Sequence, residues 1–175
     1  NNLAAIHIEQ GRLNEAIQCY KKSLEIKPEF MDAIYNMGLA LIDVNFKEPC
    51  PKLTKLITLL IDQKTLTRPK EILSASLSLL KLEPAMNRLL EKYSTNENEV
   101  SLINDVMTLS KFPLLLKLMS ICPISDLIFE KIFTKLRREF LLSRSSIKNF
   151  SPFLNFQSAL ALQCFTNEYI YELSE

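Results

Sequence analysis

The chain has 175 residues, of which 47% are hydrophobic and 23% charged, and its formal net charge is +1. This composition supplies a sizeable apolar core and argues against disorder, while the small net charge gives no bulk electrostatic reason to expect nucleic-acid or membrane binding. Only Gly11 and Gly38 are glycines, against an average of about 7% in globular chains, which excludes a glycine-rich phosphate loop after residue 38.

Residues 1–44 contain a sequence repeat. Asn2-Leu3-Ala4 recurs as Asn36-Met37-Gly38, an offset of 34 positions. Between the copies lie residues typical of two packed helices, namely a turn glycine, a small contact residue, two apolar residues on one helix face and a terminating proline (Gly11, Ala16, Tyr20, Leu24 and Pro28). This order resembles the tetratricopeptide (TPR) repeat, whose period is 34 residues. The resemblance implies TPR-type helix pairs stacked as an α-solenoid.

The pattern fails in the second copy. Pro49 and Pro51 occupy the start of what would be its second helix, and two prolines this close cannot both lie inside a regular helix. We therefore predict a first helix over about residues 30–44 and a delayed second helix from Pro51 to Gln63. The regular solenoid is expected to end there.

The spacing of apolar residues predicts further helices beyond residue 63, separated by prolines and polar residues. The first two are a helix after Pro69 with Leu73, Leu77 and Leu80 on one face and a short helix after Pro84. The next has an apolar stripe of Val100, Ile103 and Met107, flanked by Leu102, Val106 and Leu109, and another lies between Pro113 and Pro123. The last two are a long helix capped by Ser125 and reaching about Leu142, and one from Ser151-Pro152 to Leu173. No segment shows sustained alternation typical of a strand. We predict an all-α fold, with TPR-type helix pairs over residues 1–44 and a non-repeat helical bundle over residues 45–175.

Short motifs in the later part carry a second resemblance. They are Thr67–Glu71 (TRPKE), Ser78–Lys81 (SLLK), Leu118–Pro123 (LMSICP) and Gln163–Tyr169 (QCFTNEY). Their order resembles the helical region of large bacterial proteins that have N-terminal TPR repeats and a C-terminal S-adenosylmethionine-dependent methyltransferase domain. The resemblance implies that residues 45–175 are a linker or regulatory domain preceding a catalytic domain outside this chain. S-adenosylmethionine would then be a cofactor of the parent protein and not of this fragment.

The resemblance to the TPR repeat also implies a peptide-binding face. Asn2 and Asn36 occupy equivalent positions, and an amide can both donate to and accept from the backbone of an extended peptide. In TPR families that bind peptides in this way, the asparagine at this position makes that contact. By the same carry-over the concave face consists of Asn2, Glu9, Asp32, Tyr35, Asn36 and Asp43. The alternative is that the asparagines only face solvent or bond a neighbouring helix.

Catalytic and metal-binding patterns are missing from the sequence. The four cysteines form no CxxC pair and His7 is the single histidine, so no zinc site of ordinary spacing is predicted and little proton transfer is available near neutral pH. We expect free buried thiols in a cytoplasmic protein, and no enzyme activity in this chain alone. Six basic residues between 125 and 148 are interleaved with three acidic ones, which favours a solvated face over a nucleic-acid site. No apolar run is long enough to span a membrane.

The predicted function is a protein- or peptide-interaction scaffold that presents a substrate to a downstream methyltransferase-type domain. Two alternatives stay open. Repeats with an asparagine ladder also precede glycosyltransferase domains, so residues 1–44 fit the N-terminal region of a TPR-containing glycosyltransferase equally well. A freestanding TPR adaptor without an attached enzyme is the other alternative.

Overall fold

A computed structural model describes residues 2–63, 68–95, 101–142 and 153–166. Within these ranges the regular elements are helices and no strand occurs, which confirms the all-α prediction. The helices are α1 (Asn2–Glu9), α2 (Leu13–Ile26), α3 (Met31–Ala40), α4 (Pro51–Asp62), α5 (Leu73–Leu82), α6 (Pro84–Ser94), α7 (Leu102–Leu109), α8 (Pro113–Ile121), α9 (Leu127–Leu142) and α10 (Leu154–Thr166).

Packing divides the chain into two compact units, Asn1–Leu79 and Leu80–Glu175. The division falls inside α5, so the segment from residue 45 to residue 79 belongs to the same compact unit as the N-terminal helices. The sequence repeat ends earlier, and a functional boundary between residues 44 and 45 stays a prediction.

In the first unit, α2 packs against both α1 and α3, and α3 packs against α4. Small residues lie at these contacts, since Ala4 and Ala16 are fully buried and Gly38 is buried in α3. Tyr20 and Leu24 are buried on the same face of α2 as Ala16, because residues four apart lie one above the other on a helix. The helix-pair packing predicted from the repeat is therefore present.

The turn between α1 and α2 depends on Gly11. Its φ is +69°, in the left-handed region that side chains rarely adopt. A Cβ added at this position would meet no atom within 4 Å. Backbone conformation rather than space therefore requires glycine here.

The predicted first helix of the second copy is too long, because α3 ends at Ala40 and not near residue 44. Asp43 has a φ of 58° and so cannot continue a right-handed helix. The loop that follows is attached to α5. The Phe46 backbone N–H donates to Ser78 Oγ at 3.0 Å, and Ser74 Oγ donates to Asn45 Oδ1 at 3.0 Å.

Proline marks the beginning of several helices as predicted. Pro51, Pro84 and Pro113 lie in the first turn of α4, α6 and α8, where the missing N–H would have no partner in the helix. Pro69 differs, because it lies in the turn that precedes α5. The end of α4 at Asp62 agrees with the predicted end within one residue.

In the second unit, α6, α7 and α9 pack against one another and α10 packs against α8. The core includes Phe129 and Phe133 of α9, whose ring centroids are 5.9 Å apart. The predicted cap of α9 was wrong by one residue, because Asp126 Oδ1 accepts the Phe129 backbone N–H at 3.4 Å. A carboxylate is as effective as a hydroxyl in this position.

The predicted helix near residue 103 is present as α7, but the residues predicted to flank its apolar stripe face the core instead of the stripe itself. Ile103 and Met107 are 58% and 43% exposed, whereas Asp105, Val106 and Leu109 are buried. The helix is rotated so that the Asp105 carboxylate reaches partners on α6, as described below. Val100, which we placed on the same apolar face, lies outside the described residues, as do the predicted start of the last helix at Ser151-Pro152 and its predicted end at Leu173.

The four cysteines are free thiols, as predicted, but the expectation that all of them are buried was wrong. Cys122 is buried, and Cys19, Cys50 and Cys164 are partly exposed. Across the ranges that the structure describes, the helices lack the combination of length and apolarity needed to cross a bilayer.

Candidate functional site

On α1, the structure places Asn2 and Glu9 in exposed positions. They are seven residues apart, which is close to two helical turns, so both lie on one face about 10 Å apart along the axis. The exposure of Asn2 leaves its amide accessible to a ligand, as the peptide-binding prediction requires.

On α3, Asp32, Tyr35 and Asn36 also share a face, because they are spaced i, i+3 and i+4. Asp32 is exposed, whereas Tyr35 and Asn36 are half-buried. The other side of the helix, with Ala33 and Met37, is buried. Asn36 is therefore less accessible than its equivalent Asn2.

Asp43 does not lie on a helix. It is exposed in the turn after α3, so only the other five predicted residues lie on the first helices of the two repeats. The structure groups Asn2 with Glu9 and groups Asp32 with Tyr35 and Asn36. Peptide binding by these six residues stays a prediction.

Charge is distributed unevenly among the first four helices. α1 and α3 contain one carboxylate each, Glu9 and Asp32, and neither helix contains lysine or arginine. α2 and α4 contain the lysines of these helices, namely Lys21, Lys22, Lys52 and Lys55. α1 and α3 are therefore each acidic in composition.

Sequence reasoning missed a buried polar cluster in the second unit. Asp105 of α7 is 4% exposed, and Lys92 Nζ donates to both of its carboxylate oxygens at 2.8 Å. Tyr93 Oη donates to Asp105 Oδ2, also at 2.8 Å. Lys135 Nζ of α9 lies 5.6 Å from the centroid of the Tyr93 ring. The cluster therefore connects α6, α7 and α9.

The chemistry of this cluster is that of a structural contact. Burial, followed by the hydrogen bond to Asp105, raises the pKa of Tyr93 above its ordinary value, so the phenol stays protonated and donates. Both carboxylate oxygens of Asp105 are already engaged. A sequence signal existed, because Asp105 occupies an apolar helix stripe with Leu102, Val106 and Leu109.

A second charged contact lies in the same unit. Lys81 donates to Asp126, the residue that caps α9, and its ammonium lies 6.0 Å from the Phe129 ring centroid. Both side chains are partly exposed. In the part of the chain that the structure describes, no group of three or more His, Cys, Asp or Glu side chains is arranged to hold a metal ion.

Comparison with known proteins agrees with the repeat read from the sequence. Neither the curated proteins nor the solved structures gave a significant match. Among protein families, the TPR repeat matches residues 4–43. This segment runs from α1 through α3 and includes the buried Ala4, Ala16 and Gly38. By sequence and by helix packing, the N-terminal part of the chain is therefore similar to the TPR repeat.

Proposed function

We propose that this chain is a protein-interaction scaffold and that the face formed by α1 and α3 binds an extended peptide. TPR repeats generally bind protein or peptide partners, and residues 4–43 match that repeat. The observation that supports the proposal most directly is the position of the polar residues. Asn2, Glu9 and Asp32 are exposed on the first helix of each repeat.

The chemistry of the contact follows from the two amides. Asn2 and Asn36 each offer a donor and an acceptor, which matches the alternating N–H and C=O groups of a peptide backbone. An extended peptide rises about 3.3 Å per residue. Side chains of three or four peptide residues would therefore pass along α1 between Asn2 and Glu9.

The test begins with selecting a ligand. Displayed random peptides of about twelve residues are panned against the purified chain, and the selected peptides are synthesised with a fluorescent label. Anisotropy then compares the original chain with Asn2→Ala/Asn36→Ala. Two lost hydrogen bonds, each worth ~0.5–1.5 kcal/mol, should weaken binding by about tenfold.

Asn14→Ala is the matched control, because Asn14 is exposed on α2 and outside the proposed face. It should bind as the original chain does. Thermal unfolding of each variant separates a binding defect from a folding defect, since Asn36 is half-buried. A double variant that melts early and yet binds normally would contradict the proposal.

The finer part of the proposal is that the bound segment is a substrate for a methyltransferase domain of the parent protein. It is supported by the resemblance of residues 46–175, and the free cysteines are consistent with a cytoplasmic location. The test is methyl transfer from labelled S-adenosylmethionine to a selected peptide by the longer parent chain. Removal of residues 1–79 should lower transfer to that peptide without lowering cofactor binding. Transfer that is unchanged by the removal would argue for another role.

A further inference from the structure

We draw no further inference here: the strongest candidate, the exposed apolar stripe of Leu154, Ala161, Leu162 and Phe165 on α10, is an unpartnered helix face, and nothing in the structure shows what covers it.

Discussion

Burial sets the chemistry of individual residues in this protein, and Cys122 shows it most clearly. Cys122 follows α8 and is 3% exposed. Its thiol donates to the Leu118 carbonyl oxygen, and Sγ lies 3.5 Å from that oxygen. Burial raises its pKa from 9.0 to about 11, because the thiolate would lose hydration in the core. Cys122 is thus an unreactive core residue, in contrast to the partly exposed Cys19 and Cys50.

The raised pKa of Cys122 predicts that the protein loses stability at alkaline pH. Between about pH 9 and 11 the unfolded chain releases the Cys122 proton while the native chain keeps it, so the free energy of unfolding falls as pH rises. The contribution is at most about 2–3 kcal/mol. Urea unfolding at pH 8.5 and 10.5 measures it, and Cys122→Ala should lose less stability between the two values than the original chain. Equal losses would contradict the assignment.

Hydrogen bonds between a few side chains connect helices α6 and α7. Asp105 is buried and accepts from Lys92 and Tyr93. Asp105→Ala should lower the free energy of unfolding by ~3–5 kcal/mol, because it leaves Lys92 poorly solvated and without its partner. Tyr93→Phe should cost ~1.5–3 kcal/mol for one hydrogen bond to a charged group. Chemical denaturation of each variant measures the effect.

The exposed pair of Lys52 and Glu25 serves as the control for that experiment. Its two side chains are 72% and 51% exposed and lie 3.6 Å apart. Lys52→Met should change stability by less than about 1 kcal/mol, as exposed ion pairs typically do. If Asp105→Ala lowered the free energy of unfolding by as little as Lys52→Met does, the buried cluster would not be what holds α6 and α7 together.

The packing of α1 on α2 makes a prediction at the same scale. Ala16 is fully buried at this helix pair, so Ala16→Leu should overpack it and destabilise the protein by ~1–3 kcal/mol. Ala5→Leu is the control, because Ala5 is exposed on α1. Thermal unfolding measures both, and an unchanged midpoint in Ala16→Leu would show that the register of the repeat is wrong.

For the molecule as a whole, we predict that this chain does not bind S-adenosylmethionine, because the proposed function assigns the cofactor to the parent protein. The proposed function places any catalytic domain in the parent protein outside these residues, and the chain has no glycine after Gly38 from which to build a cofactor loop. Titration calorimetry of the purified chain with S-adenosylmethionine should therefore give no heat of binding. A micromolar dissociation constant would place the cofactor site within this chain and contradict the proposal.

The sequence alone determined that the regular elements are helices and where several of them begin. Pro51, Pro84 and Pro113 begin helices because proline lacks an N–H and its φ suits a first turn, which are properties of the residue itself. The repeat likewise placed Ala16, Tyr20 and Leu24 on one buried face. The resemblance to the TPR repeat implied six candidate binding residues, of which five lie on α1 and α3, and their role in binding stays a prediction.

Only the tertiary structure decided which side of a helix faces the core when its pattern allowed two. In α7 the apolar Ile103 and Met107 are exposed and the charged Asp105 is buried. Asp105 is buried because its carboxylate accepts hydrogen bonds from Lys92 and Tyr93 of α6. Asp43 is a similar case, because it lies in a turn after α3 and not on the helix in which it was predicted. The loop that follows it is hydrogen-bonded to Ser74 and Ser78 of α5. Such partners are distant in sequence, so local spacing carries no information about them.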